Sequence, residues 1–163
     1  VLTSSIRTDV DSPTAMPLVS FEGARSKIVE REHHKITDSQ SWAKLWLRHV
    51  GAEEPNEEYS WFWNSVGVPK IDFDQCVVIA MFAGKAWNSN GFSVQAVDEV
   101  GDDLLRLRIQ RLTYQTMGPD GGGRRCEPFG IWVLPKTDRT VVLEVNTQGL
   151  IGEPPIWTEK ARL

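Results

Sequence analysis

The sequence predicts a mainly β domain, α+β by element count, with one amphipathic N-terminal helix packed on an antiparallel sheet or sandwich of about six strands. Two observations lead to this prediction. From residue 70 to residue 145, apolar residues alternate with polar ones or form short continuous runs, which is the pattern of strands. The clearest helical spacing of apolar residues falls between residues 37 and 51.

One domain is predicted, over residues 21–163. Residues 1–20 are dominated by Ser, Thr, Asp and Pro and show no periodicity, so we expect a flexible lead-in that could tether the domain to an export or anchor segment. The whole chain has 163 residues, of which 40% are hydrophobic and 25% charged. A domain of this size can bury a real core without a metal ion or disulfide bonds.

The helix is predicted from its two ends and its apolar face. Thr37 and Gln40 have the spacing of a capping box, in which each side chain binds a free amide near the helix start. Gly51 is a natural C-terminal stop, because glycine adopts the left-handed conformation that ends helices. The face predicted to pack on the sheet consists of Trp42, Leu45, Trp46, His49 and Val50.

Strands are predicted at residues 27–36, 76–83, 92–97, 104–110, 129–134 and 140–145. The second of these is continuously apolar, which indicates a central strand covered on both faces. In the third and fourth, the residues expected on the inner face are Phe92, Val94 and Ala96, then Leu105, Leu107 and Ile109. Short turn signals at 101–103 and 136–138 predict that consecutive strands pair as antiparallel hairpins. The tail from Asn146 is predicted to be mostly irregular.

Charge and composition argue against several classes of function. The net charge is −4 and no basic patch stands out, so neutralising phosphates offers no gain and nucleic acid is not expected as a partner. No run of about 18 apolar residues is present, so no membrane-spanning segment is predicted. The oligomeric state cannot be predicted from these properties.

Catalytic, metal and cofactor sites are not predicted. His33 and His34 are adjacent in a predicted strand, where neighbouring side chains point to opposite faces and cannot readily chelate one ion. His49 lies on the helix face expected to pack. Cys76 and Cys126 could form a disulfide or remain two thiols, because the sequence gives no Cα distance to test the geometry.

The Gly-rich stretch at residues 117–127 could suggest a phosphate-binding loop. Such a loop needs Gly-Lys-Ser/Thr at the start of a helix, because the helix N-terminus and the lysine bind the phosphate. Here Arg124 and Arg125 follow the glycines and a strand comes next. We therefore predict a long hairpin loop, of a length that is often functional in compact domains.

A second loop, at residues 84–91, contains the large aromatic side chain of Trp87. This side chain could be a recognition anchor, or it could fold back over the sheet. If the strands pair as hairpins, both loops lie at the same end of the sheet. The residues predicted to bind a partner are Trp87, Asn88, Asn90, Gly91, Phe92, Arg124 and Arg125.

The order of short motifs resembles a known family. A Ser-x-x-x-Leu-Trp helix at 41–46 precedes an Ile-Asp-Phe strand entry at 71–73 and a glycine loop that ends in Gly-Phe-Ser at 91–93. A Pro-Phe strand entry at 128–129 then closes on Leu-Pro-Lys at 134–136. This order is similar to that of the C-terminal domain family of PrcB, a protease-complex accessory lipoprotein, although the family loop has Gly-Gly-Tyr-Ser.

The resemblance implies a PrcB-like, non-enzymatic domain located outside the cytoplasm, whether secreted, periplasmic or lipid-anchored. It implies an accessory or protein-binding role in the cell envelope, with a partner such as a secreted protease. One alternative is a protease inhibitor, since the two loops are similar to those of chagasin-type inhibitors. Another is a carbohydrate-binding module or small enzyme that uses Trp61, Trp63 or Trp87 as a platform.

Overall fold

The computed structural model describes residues 15–52, 67–116 and 122–163. In these residues there is one helix, α1 (Ser39–Val50), and the chain is otherwise mainly strand. The strands are β1 (Val19–Gly23), β2 (Arg31–Ile36), β3 (Cys76–Ala83), β4 (Ala86–Trp87), β5 (Ser89–Val100), β6 (Leu104–Thr113), β7 (Arg125–Cys126), β8 (Phe129–Pro135), β9 (Thr140–Asn146) and β10 (Trp157–Arg162). No helix in the described ranges has the length and apolar character needed to cross a membrane.

Two four-stranded sheets face each other. The first has the order β1-β8-β3-β2 and the second the order β10-β9-β6-β5, while β4 and β7 form a separate two-stranded sheet. Neighbouring strands are antiparallel, except that β6 and β9 run parallel. The predicted fold class is confirmed: the domain is mainly β, and its one described helix packs on a sheet.

Each face of the first sheet has its own core. The core between the two sheets contains Ile79 and Trp132, together with Leu107 and Leu143 from the second sheet. The core between the first sheet and α1 is formed by alternate residues of the same strands, such as Val78. Strand β3 is therefore covered on both faces, as its continuous apolar sequence predicts. Burying each large apolar side chain contributes about 1.5–3 kcal/mol.

Helix α1 begins at a different residue from the one predicted. Asp38 has an extended backbone and is the N-cap, and its carboxylate accepts a hydrogen bond from the Ser41 amide at 2.7 Å. The predicted capping box of Thr37 and Gln40 is wrong, because Asp38 stands one residue later and is a stronger acceptor at that position. The predicted end is confirmed: Gly51 has φ 77° and its amide binds the last turn.

The predicted apolar face of α1 differs from the observed one in two ways, because it includes exposed Val50 and omits buried Leu47. Trp42 is 2% exposed and Leu45 is also buried, whereas Val50 is 47% exposed and does not continue the face. His49 is buried, and its Nδ1 lies 2.8 Å from the hydroxyl oxygen of Ser26. Burial lowers the pKa of His49, because the apolar surroundings disfavour the charged imidazolium.

Both ends of the domain are more regular than predicted. Within the predicted lead-in, Ala15 forms a bridge with Val97, and β1 starts at Val19 and pairs with β8. The predicted irregular tail contains β10, whose Ala161 packs against the core between the sheets. Both strands lie at sheet edges and are largely exposed, so their sequences lack the regular alternation on which the prediction depended.

One of the two predicted hairpins is confirmed and the other is wrong. Strands β5 and β6 pair as a hairpin across the turn at 101–103. The turn at 136–138 instead leads from β8 in the first sheet to β9 in the second. Because β8 is apolar on both faces, it occupies a central position between β1 and β3, which leaves no adjacent position for β9.

Two smaller differences concern the strand patterns. Strand β2 begins at Arg31 rather than at residue 27, although Ile28 before it is buried in the core under α1. Strand β5 contains a bulge between Val94 and Ala96. A bulge shifts the alternation by one residue, so Val97 rather than Ala96 packs against the core between the sheets.

Candidate functional site

The two loops singled out in the sequence meet as a two-stranded sheet. Ala86 pairs with Cys126 and Trp87 pairs with Arg125. Residues 86–88 and 124–126 are named the β4–β7 ribbon below. Residues 117–121 of the Gly-rich stretch lie outside the described residues. The expectation that both loops lie at the same end of the sheet depended on consecutive hairpins, and β3 and β5 form none because they belong to different sheets. The two loops instead meet by pairing with each other.

Asn88 fastens the two strands of the ribbon together. Its backbone amide donates to the Arg124 carbonyl at 2.9 Å, and its side-chain Oδ1 accepts from the Arg124 amide at 2.7 Å. Its own carbonyl accepts from the Tyr114 amide at 3.1 Å, beyond the end of β6. Asn88 has φ 54°, a left-handed conformation that asparagine tolerates better than most residues. Asparagine therefore suits position 88 both by its backbone conformation and by its side-chain hydrogen bond.

The ribbon has an inner and an outer face. Cys126 is 2% exposed, and its cross-strand partner Ala86 lies on the same inner face. Because neighbouring side chains in a strand point in opposite directions, Trp87 and Arg125 lie on the outer face. On the outer face, Trp87 is 55% exposed and the Arg125 guanidinium lies 5.1 Å from its ring centroid. Of the two alternatives for Trp87, the structure therefore shows an outward-facing side chain held by a cation–π contact.

A second Trp–Arg pair in the chain provides a comparison. The Arg108 guanidinium lies 5.2 Å from the ring centroid of Trp157, but it also binds the Glu144 carboxylate at 3.0 Å. Arg125 has no such carboxylate among the described residues. The Trp157 pair is thus neutralised within the fold, whereas the Trp87 pair keeps its charge available at the surface.

Three further residues were predicted to bind a partner, and the structure exposes one of them and buries the other two. Asn90 is exposed beside the ribbon, but Phe92 is 3% exposed and belongs to the core between the sheets. Gly91 is buried with φ 111°, and a Cβ there would lie 2.5 Å from the Gly23 carbonyl oxygen. The prediction that Gly91 and Phe92 belong to an exposed binding loop is therefore wrong. The bulge at the start of β5 turns both residues inward, against β1 and the core.

The histidines and cysteines belong to no group of three or more potential metal ligands among the described residues. His33 pairs with Met81 and His34 pairs with Ala80, so the two imidazoles lie on opposite faces of β2. Nε2 of His34 lies 2.8 Å from the Glu32 carboxylate. Both cysteines are free thiols, in β3 and β7. Trp61 and Trp63, proposed as platform residues, lie outside the described residues.

A basic cleft adjoins the inner face of the ribbon, and the sequence prediction missed it. Its volume is about 350 Å³, and it is lined by Arg31, His33, Met81, Phe82, Ala83, Lys85, Ala86, Phe92, Arg111, Val145, Asn146, Thr147 and Lys160. One signal could have pointed to it. Leu107 and Ile109 face the core, and the same alternation places Arg111 on the inner face, where a cation is unexpected.

Comparison of the chain with protein-family models, with curated proteins and with solved structures found no significant match. The resemblance to the PrcB C-terminal domain family is neither supported nor refuted by these comparisons, and it stays a prediction.

Proposed function

We propose that this domain is a non-enzymatic, protein-binding accessory module of the cell envelope, located outside the cytoplasm, with the outer face of the β4–β7 ribbon as its contact surface. The observation that carries the proposal is the exposed stack of Trp87 and Arg125 on a hydrogen-bonded support. The location and the choice of a protease complex as the partner depend on the sequence resemblance.

The ribbon has the composition of a binding hot spot. Tryptophan and arginine are the residue types that most often dominate the energy of protein interfaces, because they bury a large flat area and retain a polar group. The supporting hydrogen bonds of Asn88 fix the backbone that bears Trp87 before any partner arrives. Such preorganisation reduces the entropy that binding would otherwise lose.

Charge indicates the kind of partner. Arg124 and Arg125 are adjacent and exposed, and neither faces a carboxylate among the described residues. An acidic side chain of the partner would bind a guanidinium through charge-assisted hydrogen bonds. We therefore propose a partner that presents an acidic residue beside an apolar or aromatic one, the latter packing on Trp87.

Quantitative capture with matched variants tests this proposal. The purified domain is immobilised and exposed separately to an envelope extract and to a cytosolic extract of the native cells, and bound proteins are compared by mass spectrometry. The test variants are Trp87→Ser and Arg125→Gln. The controls are Trp157→Ser and Arg108→Gln, which remove the same side chains from the neutralised pair.

The expected result is a protein retained by the wild type and by both control variants but lost from both ribbon variants. If every captured protein binds the ribbon variants as well as the wild type, the ribbon is not the contact surface. If proteins are captured only from the cytosolic fraction, the proposed location is wrong.

The protease-inhibitor alternative is separated by a direct assay. An inhibitor would lower the activity of papain-like or subtilisin-like enzymes, and Trp87→Ser would abolish the effect because the ribbon would enter the active-site cleft. An accessory domain leaves the activity of the protease unchanged or prolongs the lifetime of the protease. A glycan array tests the carbohydrate alternative. That alternative predicts that the wild type binds a glycan and that Trp87→Ser does not.

A further inference from the structure

The basic cleft has an apolar lining and a cationic rim. The apolar part comes mainly from β3, β5 and β9, and it includes Met81, Phe92 and Val145. The cationic side chains belong to both sheets and to the residue just before the ribbon, namely Arg31, Lys85, Arg111 and Lys160. Among the described residues, no carboxylate lines the cleft. The volume of about 350 Å³ lies near the lower end of the range for small-molecule pockets.

Among the residues that the structure describes, the two arginines of the cleft lack the carboxylate partners that six other arginines possess. Six arginines elsewhere lie within ion-pair distance of a carboxylate, namely Arg25, Arg48, Arg106, Arg108, Arg139 and Arg162. Arg31 and Arg111 form no ion pair within the described residues, and neither do Lys85 and Lys160. Converging like charges repel one another, so an anion between them would be stabilising.

Two buried polar atoms of the lining also lack hydrogen-bond partners among the described residues. They are Nε of Arg111 and Nε2 of His33, both out of contact with solvent. A buried donor without an acceptor costs about 1–3 kcal/mol, so folded proteins seldom keep one without a reason. Burial and the neighbouring charge of Arg31 lower the pKa of His33, which agrees with a positive environment.

We propose that the cleft binds a small organic anion. Its phosphate or carboxylate group binds Arg31 and Arg111, and its apolar part packs against Phe92 and Met81. Arginine forks suit both kinds of anionic group, since each group accepts two parallel hydrogen bonds. The chain as a whole carries a charge of −4, which disfavours a long polyanion and favours a ligand small enough to enter the cleft.

Calorimetric titration with defined probes tests the proposal. Phenyl phosphate and benzoate each combine one anionic group with one ring and distinguish phosphate from carboxylate. Benzyl alcohol is the neutral control, and inorganic phosphate tests whether the apolar part matters. We expect the preferred anion to bind at about 1 mM or below, to weaken with added salt, and to exceed benzyl alcohol about tenfold in affinity.

Variants assign the binding to the cleft. Arg111→Gln is expected to weaken the preferred anion about tenfold. Arg162→Gln removes an ion-paired guanidinium from the outer part of β10 and should leave the affinity unchanged. Lys160→Gln alters an exposed rim residue, so we expect this variant to fold, and it decides the matter if Arg111→Gln does not fold.

Two results would overturn the proposal: no binding of either anion at about 1 mM, or equal affinities in the wild type and in the folded cleft variants. The ribbon variants Trp87→Ser and Arg125→Gln should bind the anion normally, because their side chains lie on the outer face. The proposal for the cleft and the proposal for the ribbon are therefore tested independently of each other.

Discussion

Asn88 and Arg124 exchange two hydrogen bonds, one from each residue's backbone amide, at 2.9 and 2.7 Å. Only the second uses a side chain, the Oδ1 atom of Asn88. The side chain of this single residue therefore fixes the spacing of the two strands that hold Trp87 and Arg125. Because the ribbon is short, this contact has a large share in keeping it closed.

Replacing Asn88 with alanine should open the ribbon. The variant loses the Oδ1 acceptor and puts alanine at a positive φ, a combined cost of about 1–2 kcal/mol. Asn88→Asp keeps an acceptor oxygen and tolerates the backbone conformation, so it is the matched control. Hydrogen exchange of the Arg124 amide measures the effect and should be about tenfold faster in the alanine variant. Equal exchange in all three proteins would show that the side-chain bond does not hold the ribbon.

Gly91 is expected to be intolerant of any side chain. A Cβ there would meet backbone atoms of Gly23 at 2.5 and 2.7 Å, in addition to the strain at φ 111°. Gly91→Ala should therefore destabilise the domain by about 3 kcal/mol in urea unfolding. Gly101 also has positive φ, 61°, but open space around it. Gly101→Ala should cost about 1 kcal/mol, and equal losses in both variants would contradict the close approach.

The stability of the domain should fall as the pH drops below about 6.5, in part through His49. Burial lowers the pKa of His49 in the folded protein below its ordinary value of 6.5. The unfolded chain therefore takes up the proton first as the pH falls. The contribution of the neutral imidazole to stability is fully present above pH 6.5. It is lost as the pH falls from 6.5 to the lower pKa of His49 in the folded protein.

His49→Phe provides the measurement. Phenylalanine fills a site between Phe129 and Phe82, whose ring centroids lie 4.2 and 5.9 Å from the imidazole, and it does not titrate. The melting temperature of this variant should fall less than that of the wild type between about pH 8 and pH 5. Ser26→Ala removes the hydroxyl partner but keeps the imidazole, so its pH dependence should persist. Parallel curves for His49→Phe and the wild type would exclude His49 as the titrating group.

An ion pair joins α1 to β2. The Arg48 guanidinium donates two hydrogen bonds to Glu32, at 2.7 and 3.1 Å, and this contact is the main reason that the pKa of Glu32 is lowered. A double-mutant cycle with Glu32→Gln and Arg48→Gln should give a coupling energy of about 0.5–1 kcal/mol, since the pair is partly exposed.

The salt and pH dependence of this coupling check its electrostatic origin. The coupling should be smaller at about 1 M salt. It should also decrease as the pH falls below the ordinary pKa of 4.5 and vanish below the lower pKa of Glu32 in the folded protein, where the carboxylate becomes protonated. A coupling that is independent of both salt and pH would show that packing, rather than charge, links the two residues.

The central strands could be predicted from the sequence because burial determines their pattern. Strand β3 has the predicted bounds, and β6 shows the predicted alternation of Leu105, Leu107 and Ile109 with half-buried polar residues. The edge strands β1 and β10 could not be predicted this way, since one face of each is open to solvent and tolerates any residue. At the helix start, Thr37 and Asp38 both suit an N-cap, and only the backbone geometry decides between them.

The candidate sites were predictable only in part. Trp87, Arg124 and Arg125 stand out in polar loops, and their residue types suggested recognition before the pairing of β4 with β7 was known. The cleft is different, because its lining comes from seven strands that only the tertiary fold brings together. Arg111 alone gave a local signal, as a cation on the inner face of β6.

Site-specific photo-cross-linking in the native cells tests the proposed contact surface most directly. A photoreactive phenylalanine analogue replaces exposed Asn90 beside the ribbon, or exposed Asp102 in the turn after the other end of β5. The strand from Asn90 to Val100 spans about 33 Å at 3.3 Å per residue. Protein binding through the ribbon predicts a cross-linked partner from position 90 that Trp87→Ser abolishes, and none from position 102. Equal adducts from both positions, or adducts from position 102 alone, would contradict it.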